Sequence, residues 1–273
     1  MPALEIARCL QDPRLIAEAL TLRYSTAGFL GEPGAAELGQ RALEAARSTG
    51  DPRLIGDALF LLAYLMPASS TRREVLLEAL DHHRQAGDLL YVCSELAELS
   101  SGALANGQLA AARAYSEEAI ATAEEAESTW LLPQYWRLLG YVVYLEGKPQ
   151  NAAVLYRKAL TACRHHDPRL VGALIFHLAL CANSMGDYRR GAQLTGAHDV
   201  LDAALVAAAP AKAYEQDPSG QKLRDDNRAR LRKALGAEES EHAYTLGKSL
   251  SLEQACDLAL GKTNPQVAGV SAS

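Results

Sequence analysis

Leucine and alanine recur along the chain in blocks that open with the same short polar segment. Asp12-Pro13-Arg14-Leu15-Ile16 returns as Asp51-Pro52-Arg53-Leu54-Ile55 and again as Asp167-Pro168-Arg169-Leu170-Val171. An Asp at such a position accepts hydrogen bonds from unpaired N–H groups, and Pro suits the first helical position because it lacks an N–H. Each segment therefore predicts the start of a helix.

Two weaker starts lie between these segments, at Asp88-Leu89-Leu90 and at Glu127-Ser128-Thr129-Trp130. The five starts, at 12, 51, 88, 127 and 167, are separated by 39, 37, 39 and 40 residues. Glycine or small polar residues interrupt each block near its middle, at 31–34, 67–70, 106–107, 147–149 and 186–187. We predict five units of helix, tight turn and antiparallel helix, stacked as an α-solenoid because one hairpin cannot bury both apolar faces.

The composition favours the same all-α fold. Alanine (50) and leucine (44) make up about a third of the 273 residues, while valine and isoleucine together number 15. Ala and Leu lose little side-chain entropy in a helix, and the scarcity of β-branched residues argues against a sandwich, a barrel or a doubly wound sheet. The net charge of −6 is not that of a typical phosphate binder.

The chain carries no signal for export or for a membrane. No basic region and no apolar region follow Met1, and no apolar stretch approaches the roughly 20 residues that cross a bilayer. The five cysteines include no Cys-x-x-Cys pair, which fits buried thiols in a reducing compartment. We therefore expect a cytoplasmic protein.

Small and aromatic residues in the fourth block follow a fixed spacing. They are Trp136, Leu139, Gly140, Ala152, Tyr156 and Ala159. At these offsets the block resembles a tetratricopeptide repeat, although Val143 stands where Tyr is usual and the closing proline is displaced to Pro168. Because the blocks run about 39 residues rather than 34, they are similar to the longer repeats of bacterial signalling ATPases.

The C-terminal part departs from this spacing. A charged helix is predicted over 221–235, and Ser251 with Gln254 forms a capping-box pattern for a last helix. Ala234-Leu235-Gly236, Ala243-x-x-x-Gly247 and the segment 250–255 resemble the end of the helical region in actinobacterial regulators of the LuxR and STAND-ATPase type. In that family an ATPase module lies upstream, and a DNA-binding helix-turn-helix often lies downstream.

These patterns predict three segments: a tetratricopeptide-like array over 1–210, capping helices over 211–261 and a disordered tail over 262–273. Leu4-Glu5-Ile6-Ala7-Arg8 resembles the end of a second helix, so the chain is expected to begin inside a repeat with further sequence upstream. The alternative is a short native N-terminal helix.

Two segments mimic the end of a P-loop, Gly247-Lys248-Ser249 and Gly261-Lys262-Thr263. A P-loop also needs an earlier glycine, and His242 and Cys256 hold those positions. We therefore favour helix-terminating glycines over a nucleotide site and predict no cofactor.

Other chemical candidates are weak. His177 and Cys181 lie four apart and could share a zinc ion, but core packing is favoured and no metal is predicted. His82-His83 closes a helix, where a cationic group complements the dipole. The basic helix over 222–233 is interrupted by Asp225 and Asp226, so a capping role is favoured over nucleic-acid binding. No catalytic arrangement is visible.

In tetratricopeptide arrays the first helix of each hairpin lines a concave face. Carried onto this sequence, the family's groove positions are Tyr24, Asp57, Tyr64, Arg137, Tyr141, Tyr144, Phe176 and Asn183. Tyrosine combines stacking area with a polar tip, which suits a peptide or ligand surface. The alternative is that these rings pack between helices.

We therefore expect a non-catalytic interaction and ligand-sensing array from a bacterial signalling or transcriptional regulator. It would bind a protein, a peptide or a small-molecule inducer, with no direct nucleic-acid or membrane partner. A free-standing scaffold is the second hypothesis. An all-helical enzyme is the third, and it would need a converging cluster of ionisable residues with shifted pKa values.

Overall fold

The computed structural model describes residues 5, 9, 11–67, 69–208 and 218–262, and every regular element within them is an α-helix. The helices are α1 (Pro13–Phe29), α2 (Ala35–Thr49), α3 (Pro52–Leu65), α4 (Ser70–Ala86), α5 (Leu89–Ala105), α6 (Leu109–Glu125), α7 (Leu132–Leu145), α8 (Pro149–Cys163), α9 (Pro168–Ser184), α10 (Tyr188–Ala208), α11 (Pro218–Leu235), α12 (Ala237–Lys248) and α13 (Leu252–Leu260). The predicted all-helical class is confirmed for these residues. Among the described helices, none has the length and apolarity to cross a bilayer.

Four helices begin at the predicted aspartates. The carboxylates of Asp12, Asp51, Asp88 and Asp167 accept hydrogen bonds from N–H groups in the first turns of α1, α3, α5 and α9. Proline occupies the first turn of three of these helices, where a missing N–H carries no penalty. Each predicted break lies at the boundary between two helices, and Ser70 and Pro149 are already the first residues of α4 and α8.

The predicted start at Glu127 is wrong. Glu127 has a φ of 53° and belongs to the turn that ends α6, where the Ser128 N–H donates to the Ala123 carbonyl at 2.9 Å. The next helix, α7, begins only at Leu132, with Pro133 in its first turn. A polar residue one period after the previous start was therefore an insufficient signal without an Asp to cap the helix.

The chain forms two compact units, Met1–Thr129 and Trp130–Ser273, here called the N-terminal and C-terminal units. In the N-terminal unit α1 packs on α2, α3 on α4 and α5 on α6, while α1 also contacts α3. Fully buried alanines such as Ala42, Ala46 and Ala79 lie at these contacts. Small side chains let the helices approach closely, and leucines fill the remaining space.

The C-terminal unit contains the pairs α7/α8 and α9/α10 together with three further helices. Helix α12 packs along α10, α11 contacts α10 and α12, and α13 contacts α8, α9 and α10. The predicted capping box of α13 is confirmed, because Ser251 Oγ accepts from the Gln254 N–H while Gln254 Oε1 accepts from the Ser251 N–H. Helix α11 begins at Pro218, slightly before the predicted start at 221.

Two glycines let the backbones of α10 and α12 touch. A Cβ built on Gly247 would lie 1.9 Å from the carbonyl oxygen of Gln193, and one on Gly196 would lie 2.1 Å from that of Tyr244. Gly247 therefore has a packing role inside α12 rather than the predicted helix-terminating role. Gly261 does end its helix, with a φ of 81°. The predicted tail beyond 262, residues 209–217 and most of residues 1–10 lie outside the described residues.

Candidate binding faces

Four aromatic side chains form a continuous row on three helices of the N-terminal unit. Phe60 and Tyr64 lie one turn apart on α3, so they share a face. The ring of Tyr64 lies 5.9 Å from that of Phe29 at the end of α1, and the ring of Phe60 lies 5.6 Å from that of Tyr91 at the start of α5. We call Phe29, Phe60, Tyr64 and Tyr91 the aromatic row.

Much of this row is open to solvent. The exposed fractions are 63% for Phe29, 47% for Tyr64 and 36% for Tyr91, and Leu30 beside Phe29 is 70% exposed. Single exposed apolar residues are common on protein surfaces, but contiguous rings are not, and such patches mark interaction sites. The aromatic row is therefore the strongest candidate binding surface in the N-terminal unit.

Charged residues on the same helices are held in ion pairs. Arg53 on α3 pairs with Glu18 on α1 at 3.1 Å and lies 3.9 Å from Asp57. Arg72 on α4 pairs with Glu98 on α5. These ion pairs tie the helices of the N-terminal unit to one another.

A histidine lies buried between two carboxylates next to the row. His83 Nδ1 is 2.6 Å from Glu95 Oε1, and His83 Nε2 is 3.3 Å from Asp57 Oδ1. His83 and Glu95 are fully buried. We call these three residues the His83 cluster; it links α3, α4 and α5. When both carboxylates are ionised they can only accept hydrogen bonds, so each ring nitrogen then carries a proton and the imidazole is cationic.

The cluster retains its proton above neutral pH. Burial alone would lower the pKa of His83, but the hydrogen bonds to Asp57 and Glu95 raise it to about 9. Burial also raises the pKa of Glu95, against the opposing hydrogen bond from His83. Both shifts mean that the folded protein binds a proton more tightly than the unfolded chain does.

Both faces of the His83 ring are covered. The ring of Tyr91 stacks on it with a centroid distance of 4.5 Å and an interplanar angle of 15°. On α3, a Cβ built on Gly56 would lie 2.6 Å from His83 Nε2, so only glycine leaves room for the imidazole. The His83 cluster therefore fixes Tyr91, one member of the aromatic row, but leaves no open approach to His83 or Glu95 for a substrate.

We predict that the free energy of unfolding falls by about 2 kcal/mol between pH 6.5 and 8.5. The pKa of His83 is raised from 6.5 to about 9. Its stabilisation is therefore complete below pH 6.5 and is lost as the pH rises towards 9. Urea unfolding at several pH values in this window measures the effect.

The His83→Gln variant is the control, and its stability should be nearly flat over the same window. Burial lowers the pKa of His177 and His198, so their contributions fall mainly below pH 6.5. Burial raises the pKa of Cys93 and Cys163 to about 11, and those thiols act only above the window. An equal slope in wild type and variant would refute the assignment.

The structure places the predicted groove residues of the N-terminal unit in three environments. Tyr64 lies in the aromatic row and Asp57 in the His83 cluster. Tyr24 is buried in the core beside Leu20, because Gly39 leaves room for its ring; burial raises the pKa of its hydroxyl. Tyr24 is thus in the alternative arrangement, a ring packed between helices.

The predicted groove residues of the C-terminal unit also lie in different environments. Arg137 and Tyr141 are half-buried, and the Tyr141 ring lies 5.6 Å from that of His177. Phe176 is buried with its ring 4.9 Å from that of His198. Burial lowers the pKa of His177, so this imidazole is neutral and uses Nδ1 to donate to the Ala173 carbonyl at 2.7 Å.

Tyr144 and Asn183 come together at one cleft of about 110 Å³. The Tyr144 hydroxyl lies 3.1 Å from Ser184 Oγ, and the Asn183 amide donates to Asn227 Oδ1 at 2.6 Å. We call this site the amide cleft. Its walls come from α7, α9 and α11, and they comprise Tyr144, Leu180, Asn183, Leu223, Asp226, Asn227 and Arg230.

The sequence interpretation missed most of the strongest features. His83 was assigned to a helix dipole, and Glu95, Phe29, Phe60 and Tyr91 were not predicted. The i, i+4 pair Phe60 and Tyr64 was the one available signal. Phe29 and Tyr91 are not among the groove positions that were carried over from the family.

In the described part of the chain, no group of three or more His, Cys, Asp or Glu side chains is arranged to hold a metal ion. Neither the protein-family models nor the curated proteins give a match to this chain. The likeness to LuxR and STAND-ATPase regulators therefore rests on the sequence motifs alone.

Proposed function

We propose that this chain is a non-catalytic, binding helical-repeat domain of a cytoplasmic bacterial regulator. The proposed architecture is five tetratricopeptide-like hairpins with a C-terminal helical cap. Occupancy of its partner site would be passed to an upstream ATPase. The likeness to the regulator family supports the regulatory role in this proposal, and the aromatic row supports the binding role.

The single observation that carries the proposal is the exposure of contiguous rings in the N-terminal unit. Large, rigid rings dominate the energetics of protein interfaces because they bury much area for little conformational entropy. The same unit holds 19 acidic residues, 10 arginines and no lysine. We therefore propose as partner a peptide segment with apolar side chains flanked by basic residues.

The His83 cluster is the converging set of ionisable groups that an enzyme hypothesis would require. Its imidazole is already doubly hydrogen-bonded, and its faces are covered by Tyr91 and Gly56. A general acid or base must come within hydrogen-bond reach of a substrate. The geometry therefore favours a structural role, which is to hold Tyr91 in place.

A random dodecapeptide display library, selected against the full chain, tests the proposed partner class. We expect enriched peptides to carry two or more large apolar side chains and a net positive charge. The Phe29→Ser/Tyr64→Ser double variant should fail to enrich them, because it removes the two most exposed rings of the row.

The matched control is Val154→Ser, which changes a side chain that is 61% exposed on α8 of the C-terminal unit. It should enrich the same peptides as wild type. Enrichment of no peptide, or equal enrichment on the double variant, would refute the aromatic row as the binding face.

The alternative is a free-standing scaffold that joins proteins without signalling, and the coding sequence upstream of Met1 distinguishes the two. An in-frame ATPase module with a glycine-rich phosphate loop would support the regulator. A stop codon directly upstream would remove the sensor proposal and leave the scaffold.

A further inference from the structure

The amide cleft of the C-terminal unit contains a chain of buried side-chain amides. The Asn183 amide donates to Asn227 Oδ1 at 2.6 Å, and the Asn227 amide donates to Thr195 Oγ1 at 3.1 Å. Thr195 in turn donates to the Gly191 carbonyl at 2.8 Å. These bonds fix both asparagines, which are 1% and 5% exposed.

Among the described residues, this chain of side-chain amides does not use all of its hydrogen-bonding groups. Each amide nitrogen carries two N–H groups, of which one is engaged among the described residues. Asn183 Oδ1 lies against Gly191 and accepts no hydrogen bond in the same part of the chain. Buried polar groups are nearly always paired, so the second N–H groups of these two lining residues indicate a polar ligand or water.

Two oppositely charged residues border the cleft. Asp226 and Arg230 lie one turn apart on α11, a spacing that normally favours an ion pair. Both are exposed and line the cleft. Neither belongs to an ion pair within the described residues, whereas Arg228 on the same helix pairs with Asp199 at 2.5 Å.

The remaining walls are apolar or weakly polar. Leu180 and Leu223 supply apolar surface, and the Tyr144 hydroxyl can form one hydrogen bond beyond its contact with Ser184. Cavities of about 150 Å³ admit benzene, so a cleft of about 110 Å³ suits a molecule of roughly six non-hydrogen atoms.

We propose that the amide cleft binds a small zwitterion of the amino-acid class. Arg230 and the second N–H groups of the two amides would hold its carboxylate, Asp226 would hold its ammonium group, and the leucines would contact its carbon atoms. A carboxylate binds a guanidinium and neutral N–H donors with strong, charge-assisted hydrogen bonds. This site is separate from the aromatic row, so either proposal can fail alone.

Titration of the full chain with L-alanine, followed by ¹H–¹⁵N NMR, tests the site directly. We expect saturable shifts of the side-chain amide signals of Asn183 and Asn227. Propionate and propylamine each lack one of the two charges, and we expect each to bind at least about tenfold more weakly than L-alanine.

Substitutions on α11 then test whether Arg230 holds the carboxylate of the ligand and Asp226 holds its ammonium group. Arg230→Gln and Asp226→Asn should each weaken L-alanine binding about tenfold, while Arg232→Gln and Asp225→Asn should change it less than about twofold. All four residues are exposed, so the fold should be preserved. No saturation by L-alanine, equal affinity for the three probes, or equal loss in the control variants would overturn the proposal.

Discussion

Gly247→Ala is expected to destabilise the C-terminal unit by about 3 kcal/mol, because the new methyl group would overlap a backbone atom. Its Cβ would lie 1.9 Å from the carbonyl oxygen of Gln193 on α10. A side chain could rotate away from such a contact, but the carbonyl belongs to a helix and is fixed. Helices α10 and α12 would therefore have to separate.

Gly172→Ala is the matched control within the same unit. Gly172 lies inside α9, and the nearest atom to its added Cβ is 4.0 Å away. Because alanine is the better helix former by about 1 kcal/mol, this variant should be neutral or slightly more stable. Urea unfolding followed by circular dichroism measures both. A Gly247→Ala protein as stable as Gly172→Ala would refute the close α10–α12 crossing.

Glu95→Ala is expected to destabilise the N-terminal unit by about 3–5 kcal/mol. Removing one partner of a buried ion pair leaves the other without compensation, here the imidazolium of His83 with only the longer contact to Asp57. The truncation also opens a cavity at a fully buried position. His83 should then lose its proton near neutral pH, so the fall in stability between pH 6.5 and 8.5 should largely disappear.

Glu98→Ala removes a carboxylate three residues later on the same helix. The Glu98 side chain is 29% exposed and pairs with Arg72, and such pairs contribute about 0–1 kcal/mol. Equal destabilisation by the two variants would show that Glu95 contributes no more to the free energy of unfolding than a surface carboxylate does. Urea midpoints at unchanged slope give the comparison.

The local part of the fold could be predicted from the sequence because it depends on neighbouring residues. Asp12, Asp51 and Asp167 cap helices through N–H groups two or three residues away, so the Asp-Pro pair is sufficient information. Ser251 and Gln254 are the same kind of signal. The start at Glu127 failed because neither an Asp cap nor an adjacent proline was present.

The candidate sites depend on contacts between distant residues, which local patterns do not encode. Gly56 and Gly172 occupy the same place in two copies of one repeated segment. Yet an added Cβ would lie 2.6 Å from the His83 ring at Gly56 and 4.0 Å from its nearest neighbour at Gly172. The difference comes from His83, which lies 27 positions after Gly56. Because His83 lies near the end of α4, a solvated cation that complements the helix dipole was the simpler expectation.

The amide cleft combines residues that were predicted as groove positions with residues that were not. Tyr144 and Asn183 were predicted as groove residues, and both line the cleft. The charged helix α11 was predicted as a cap, but its contribution of Asp226, Asn227 and Arg230 to the same cleft was not. No sequence spacing relates a capping helix to the helices that it covers.

The affinity of a library-selected peptide for the aromatic-row double variant decides whether the aromatic row is the binding face. Isothermal titration would compare wild type, Phe29→Ser/Tyr64→Ser and Val154→Ser with one peptide. Loss of two exposed aromatic anchors is predicted to weaken binding at least about tenfold, while the Val154 control stays within about twofold of wild type. Unchanged affinity for the double variant would show that the peptide does not bind at the aromatic row.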